Sequence, residues 1–405
     1  MNYLIVYFFI LSNLSAIIPA GVEVEYKSIE TKEMFKRWSI DSSLTPLSKT
    51  YSLKTEKLKT DIINTLRNKY KFSIDLNEKE LGKGNYGIVF KGINLNGKRK
   101  VVIKITTATE TKRYFNVIKN STCFYSSPFK PPCNDLRQVI PYEVAALIRS
   151  KNIDGVIEVY GIGRVIINGS LAFHIIIMQF VEGSMTGEKF SNCIRRQKIA
   201  QSLNEQHVYD YFKSMLQQLY EVNKKLYDAQ VYHNDIKSDN IILTYNSSFK
   251  HNNRRVSDSC DTIGVNGKIK VYLIDFGNAV MKSNSRHDFL FLPTAGADVF
   301  NLNRAPEFFN LKNYGVRVKK LLVWYHGTFL FELLSGRHLF NCTLIRPPIH
   351  FNQGIIDQCS KDAHSIIKRQ IGKQKLFKNV LNAFHGTLRN EPGERMDFSN
   401  LGSLL

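Results

Sequence analysis

The sequence predicts an α+β chain, with a small sheet-rich lobe followed by a larger helical one. Short runs of β-branched and aromatic residues come first, at Gly87–Gly92, Val101–Ile105, Val156–Tyr160 and Phe173–Phe180. Long amphipathic patterns come later, best seen in Val208–Ala229, where Tyr211, Met215, Leu219, Val222 and Leu226 recur at helical spacing. Strands first and helices afterwards define the class. Size is the third observation: 405 residues, 43% of them hydrophobic, can bury one large core or two ordinary ones. Global disorder, a collagen-like repeat and a polytopic membrane protein are thereby excluded.

Along the chain, residues 1–20 (MNYLIVYFFILSNLSAIIPA) read as a signal peptide, with a cut after Ala20. Ser12, Asn13 and Ser15 interrupt the run, leaving it short of the ~20 apolar residues that span a bilayer. Ile18 stands where a small residue is preferred and the positive N-terminal side chain is missing, so an uncleaved anchor or a buried helix are the other readings. Residues 21–75 form a polar N-terminal extension, either a stalk or a piece packed on the adjoining domain, with one helical stretch near Leu58–Tyr70. Residues 76–405 form one domain, and polar stretches near 106–138 and 246–268 read as surface insertions.

The balance of 56 basic against 35 acidic residues, 56 − 35 = +21, attracts anionic partners. Its clusters lie far apart, at Lys98-Arg99-Lys100, Arg195-Arg196, Arg254-Arg255 and Lys319-Lys320. A solvated basic surface is the first reading and an acidic protein or anionic lipid surface the second. No nucleic acid and no stable oligomer are expected. Two features agree with export to the secretory pathway. Sequons stand at Asn120, Asn168, Asn246 and Asn341, although such triplets also arise by chance. The six cysteines are an even number; nearness in sequence suggests Cys123–Cys133 and Cys342–Cys359, with reduced cysteines as the alternative. No C-x-x-C pair supports zinc or thioredoxin-type chemistry.

Five motifs carry chemistry. Gly82-Lys83-Gly84-Asn85-Tyr86-Gly87-Ile88-Val89 places three glycines between two strands, where bare backbone can approach phosphate oxygens. A dinucleotide site would need a helix here and an acid about 20 residues on; the next strand instead brings Lys104. That lysine is either an edge residue or a cation for nucleotide phosphates, oriented by Glu143 at the start of a helical pattern or by its competitor Glu110. His233-Asn234-Asp235-Ile236-Lys237-Ser238-Asp239-Asn240 puts an acid, a lysine and an amide in one loop, which suits phosphoryl transfer. Asp275-Phe276-Gly277 follows the apolar Val271–Ile274, and a carboxylate there can hold Mg²⁺. Ala305-Pro306-Glu307 comes about thirty residues later. Singly each tripeptide is a plain turn; their order and spacing are the signal.

In this order the motifs resemble the eukaryotic protein kinase superfamily, over roughly Leu81 to Asp397. The resemblance implies a two-lobed protein-kinase fold, with ATP and Mg²⁺ as cofactors and a protein as substrate. It implies that Gly82, Gly84, Gly87 and Val89 cover ATP, and that Lys104 contacts the α/β-phosphates and pairs with Glu143. Met178 and Phe180 then belong to the hinge against adenine. Asp235 accepts the substrate proton, Lys237 steadies the transferred phosphate in the serine/threonine manner, and Asn240 and Asp275 hold the metal. Glu307 and Arg395 look like the pair tying the end of the activation segment to the helical lobe.

Three residues depart from the pattern: Asn234 replaces an arginine, Leu322 an aspartate that anchors the catalytic loop, and Val102 an alanine. The expectation is an exported serine/threonine protein kinase; the alternatives are a secreted pseudokinase acting as a protein-binding scaffold and a small-molecule or carbohydrate kinase. The Asn-, Lys- and Ile-rich composition of the exported chain is similar to that of secreted parasite effector kinases.

Overall fold

The computed structural model describes residues 22–28, 56–74, 80–84, 87–108, 113–116, 121–124, 139–168, 170–199, 205–246, 260, 268–282, 289–290, 305, 307, 316–336, 358, 361, 365, 382, 385–389 and 391–404. They fall into two compact units: everything up to Ala145 with Glu158–Phe180, and Ala146–Ile157 with everything from Val181.

Alternating side chains build the first unit. It comprises β1 (Val22–Ser28), α1 (Glu56–Tyr70), β2 (Phe72–Ile74), β3 (Gly82–Gly84), β4 (Gly87–Asn94), β5 (Arg99–Thr107), β6 (Arg113–Asn116), β7 (Ser121–Phe124) and β8 (Val139–Pro141). Helix α2 (Tyr142–Arg149) comes next, and then β9 (Val159–Ile167) and β10 (Ser170–Gln179). The main antiparallel sheet runs β1-β9-β10-β5-β4-β2, with β3 hydrogen-bonded to β4. Ile88 and Phe90 on β4, Val101, Ile103 and Ile105 on β5, and Ile175 and Ile177 on β10 turn to one core. Leu58, Ile62, Ile63 and Leu66 of α1, spaced for one helical face, close that core.

Part of the 21–75 extension is therefore built into this unit. β1 pairs with β9 from Val22↔Ile167 to Ser28↔Gly161, and Tyr70 donates to the Val24 carbonyl at 2.8 Å. The alternation V-E-V-E-Y was the signal for this strand, and the polar composition around it hid it. The described part of the 106–138 stretch is structured as well: β6 and β7 form a small sheet with β8, in the order β7-β6-β8. Tyr114 of β6 is fully buried, its hydroxyl 3.0 Å from His174 Nε2 on β10, and Arg164 of β9 donates to the Val139 carbonyl at 2.7 Å. These bonds tie the small sheet to the main one, and β8 runs directly into α2. The strand expected at Val156–Tyr160 is shifted. Gly155 has φ +90° and Val156 makes a single parallel bridge to Leu273, so the strand starts only at Val159.

The second unit contains β11 (Ser184–Thr186), α3 (Gly187–Ile199), α4 (Glu205–Asp228), β12 (Val231–Tyr232), β13 (Ile241–Asn246) and β14 (Lys268–Leu273). β15 (Val280–Met281), β16 (Phe289–Leu290), β17 (Val316–Arg317), α5 (Val318–Ser335) and α6 (Phe398–Leu404) complete it. α4 buries Val208, Tyr211, Met215, Leu219, Val222 and Leu226 as its periodicity predicts. α5 is buried on all sides from Leu321 to Ser335, so it forms the apolar centre of the unit. Among the described residues no helix is long and apolar enough to cross a membrane.

The observed disulfide joins Cys193 of α3 to Cys260, 67 residues away. Sequence proximity pointed to other pairs; Cys193 lies on α3, which packs on β13, the strand that precedes Cys260 in the chain. Cys133, Cys342, Cys359 and the Cys123 side chain lie outside the described residues.

Candidate active site

Strand β5 carries Lys104 between two core-facing isoleucines, opposite Val89 on β4 and Ile176 on β10. Its Nζ lies 2.8 Å from Glu143 Oε1 and 2.9 Å from Oε2. Glu143 sits in the first turn of α2, where the helix dipole favours an acid, and Pro141 of β8 fixes where that turn begins. Both side chains are mostly shielded, at 14% and 10% exposure, so their attraction is screened less than that of a surface pair. Glu110, its competitor in the sequence, lies outside the described residues.

The glycine motif folds as the β3–β4 hairpin, in register Gly82↔Val89 and Gly84↔Gly87. A Cβ on Gly87 would run into the Ile105 carbonyl, so only glycine lets β4 approach β5 this closely. Val89 lies across from Lys104. Met178 is buried opposite Val102, and Phe180 follows β10, the Lys91 ammonium 5.8 Å from its ring centroid. The chain passes from the first unit to the second between Phe180 and Val181.

In the second unit the loop from His233 to Asn240 joins β12 to β13. Asp235 is 4% exposed. Its Oδ2 accepts from Asn240 Nδ2 at 3.0 Å and from Asn278 Nδ2 at 3.1 Å, and Lys237 Nζ stands 3.5 Å away. Asn240 also donates to the Asp235 carbonyl at 2.9 Å, which curls the loop around the acid. Burial pushes the Asp235 carboxyl above its usual range, while the Lys237 charge and the hydrogen bond from Asn278 pull it back. His233 is held below the usual imidazole range by burial, so it is neutral and Nε2–H donates to the Ile274 carbonyl at 2.8 Å. Its ring meets Phe276 edge to face at 4.7 Å, fixing the loop against the segment that carries Asp275.

Asp275 is exposed, in a left-handed conformation with φ +60°, and its Oδ1 lies 3.4 Å from the Gly277 amide. The structure thus brings Asp235, Lys237 and Asn240 together, with Asp275 near enough to act on the titration of Asp235. The donor set suits Mg²⁺. Asp275 offers carboxylate oxygens, and because the Asn240 nitrogen is committed to Asp235, that amide presents its oxygen. Among the described residues no group of three or more His, Cys, Asp or Glu side chains is placed to hold a metal ion.

Further along, Arg395 makes a bidentate pair with Glu307, at 2.7 and 2.6 Å, and its guanidinium packs over Trp324. Sequence reasoning missed three residues at the loop. Asn278 carries no signal in a single sequence, since an amide after a turn is ordinary. Of the two on α5, Tyr325 and Glu332, only Glu332 left one: a charged side chain in the apolar run F-L-F-E-L-L needs a polar partner.

An acid held by two amides beside a lysine in the second unit, and a lysine–glutamate pair beside a glycine hairpin in the first, are the arrangements expected of the protein kinase fold. The protein kinase domain family model matches residues 76–401, and the chain belongs to that family. It is similar to the serine/threonine-protein kinase ATG1 of Kluyveromyces lactis, 23% identical over 341 residues, which cover 80% of this chain and 35% of that protein. The ATG1 kinase of Kluyveromyces marxianus is 24% identical over 339 residues, with the same coverage. The match thus spans about a third of the length of these relatives.

Proposed function

We propose that this protein is an exported serine/threonine protein kinase that transfers the γ-phosphate of ATP to protein hydroxyls. The observation that carries the reading is the Asp235 constellation: a buried carboxylate, oriented by two amides, with Lys237 at 3.5 Å. Phosphoryl transfer asks a protein mainly for positioning and charge. The paired lysine Lys104 is held by Glu143 for the α/β-phosphates. Gly82, Gly84, Gly87 and Val89 provide the hairpin that covers the nucleotide, and Met178 and Phe180 flank adenine. Asp235 accepts the proton of the attacking hydroxyl, and Lys237 offsets charge on the phosphoryl group. Asn240 and Asp275 would hold Mg²⁺, which supplies neutralisation of phosphate charge. Relatives described as serine/threonine kinases agree with this substrate class.

Three observations support export. The Cys193–Cys260 disulfide suits an oxidising compartment. The sequon residue Asn168 is exposed at the β9–β10 turn. β1 begins at Val22, just past the expected cut. The charge of +21 favours an acidic protein or anionic lipid surface as partner.

The rival reading, a pseudokinase scaffold, rests on Asn234 and Leu322. A transfer assay with labelled ATP and generic basic and acidic proteins separates the two. Wild type should transfer phosphate, and Asp235→Ala and Asp275→Ala should each abolish transfer while remaining folded. Activity surviving in both variants would refute these roles.

A further inference from the structure

Helix α5 meets the 233–240 loop through two polar side chains. The Tyr325 hydroxyl donates to the Asn234 carbonyl at 2.9 Å and lies 3.1 Å from Asn234 Oδ1. Seven residues on, Glu332 Oε2 accepts the Ser238 N–H at 2.6 Å. Seven residues are nearly two helical turns, so both side chains leave the same face. Their contacts fall one residue before Asp235 and three after it. Asn234 has φ +59°, a left-handed backbone that a non-glycine residue keeps only where its surroundings enforce it. The tyrosine hydroxyl grips that residue at both carbonyl and side chain. Glu332 and Ser238 are themselves buried, so this charge-assisted bond is shielded from water. Leu322, one turn before His326 on the same helix, is buried and has no polar side-chain atom to offer the loop.

We propose that Tyr325 and Glu332 are positioning residues that hold Asp235 from both sides, so that the loop is anchored at two new points of α5 in place of residue 322. The inference rests on the kinase reading for its effect on rate, but not for its effect on the loop. Neither residue touches the reacting atoms; each acts through backbone that carries Asp235. A displacement of about an ångström at such a group can cost on the order of a hundredfold in rate.

Tyr325→Phe removes one hydroxyl and keeps the ring. Glu332→Gln keeps the shape and an acceptor oxygen but removes the charge, and Glu332→Ala removes the acceptor altogether. For Tyr325→Phe and Glu332→Ala, kcat should fall by roughly tenfold to a hundredfold, with KM for ATP within about twofold. Glu332→Gln should recover part of the loss. Hydrogen exchange should quicken by about fivefold or more across 234–240, and stay unchanged in the α4 peptides. Unchanged kcat together with unchanged exchange across 234–240 would overturn the proposal, as would exchange that quickens equally throughout the second unit. If the wild type transfers no phosphate, the kinase reading fails, and the exchange measurement alone decides whether α5 anchors the loop.

Discussion

Lowering the pH from 7.5 to 5.5 should destabilise this protein through buried histidines. His174 in the first unit and His326 in the second are 0% and 1% exposed. Burial holds His174 down to about 3, with the nearby Arg164 charge adding to it, and His326 down to about 4. An unfolded histidine titrates near 6.5. Between 6.5 and those depressed values the unfolded chain binds protons that the folded chain refuses. Stability is therefore fully present above 6.5 and lost as the pH falls. Each histidine contributes a loss of about 1 to 2 kcal/mol between pH 7.5 and 5.5. His233, also depressed by burial, adds in the same direction. Asp235 opposes it, because its raised carboxyl favours the folded state as protons are added.

The comparison of variants isolates the histidine. His326 Nδ1 lies 2.8 Å from the Leu322 carbonyl, and His326→Gln keeps an N–H for that acceptor without a titrating group. Trp324 is fully buried in the same helix, so its fluorescence in a Trp38→Phe background reports on the second unit. Urea unfolding at pH 7.5 and 5.5 should show the loss in the parent, reduced by about 1 to 2 kcal/mol in His326→Gln. Identical losses in the two proteins would refute the argument, because the buried imidazole would then have been free to protonate in the folded state.

Three other outcomes are expected of the chain. Reducing Cys193–Cys260 frees a loop of 67 residues, and Cys193→Ser with Cys260→Ser should cost up to about 4 kcal/mol in denaturant stability, if the bond acts through the unfolded chain; an unchanged midpoint would contradict that. Asn234 is uncharged, so an activation-loop phosphate has no arginine at that position to bind, and basal activity should not require one. Ser283, Ser285 and Thr294 lie outside the described residues; replacing all three by alanine should change kcat by less than about tenfold, and a hundredfold loss with folding retained would show that another cation reads a loop phosphate. Protein from a secreting eukaryotic host should begin near Gly21 and carry glycan on Asn168, as read by mass spectrometry; an intact Met1 would point to an anchor.

The sequence by itself determined whatever depends on neighbouring residues. Glycine spacing in 82–87, the acid–lysine–amide order in 235–240 and the period of Val208–Ala229 are local. Each survives into the structure because backbone freedom, loop reach and helical repeat are set within a few residues. The fold class, and the local arrangement of most residues at the candidate site, were legible for that reason. Tertiary structure decided the rest, where partners are far apart in sequence. The choice of Glu143 for Lys104 spans 39 residues, and the Cys193–Cys260 bond spans 67. Asn278 reaches Asp235 from 43 residues away, and Tyr325 and Glu332 reach the same loop from 91 and 94. No composition or periodicity encodes such pairings; they exist because burying α5 and the sheet faces in apolar cores brings these polar groups together away from water, where each must find a partner.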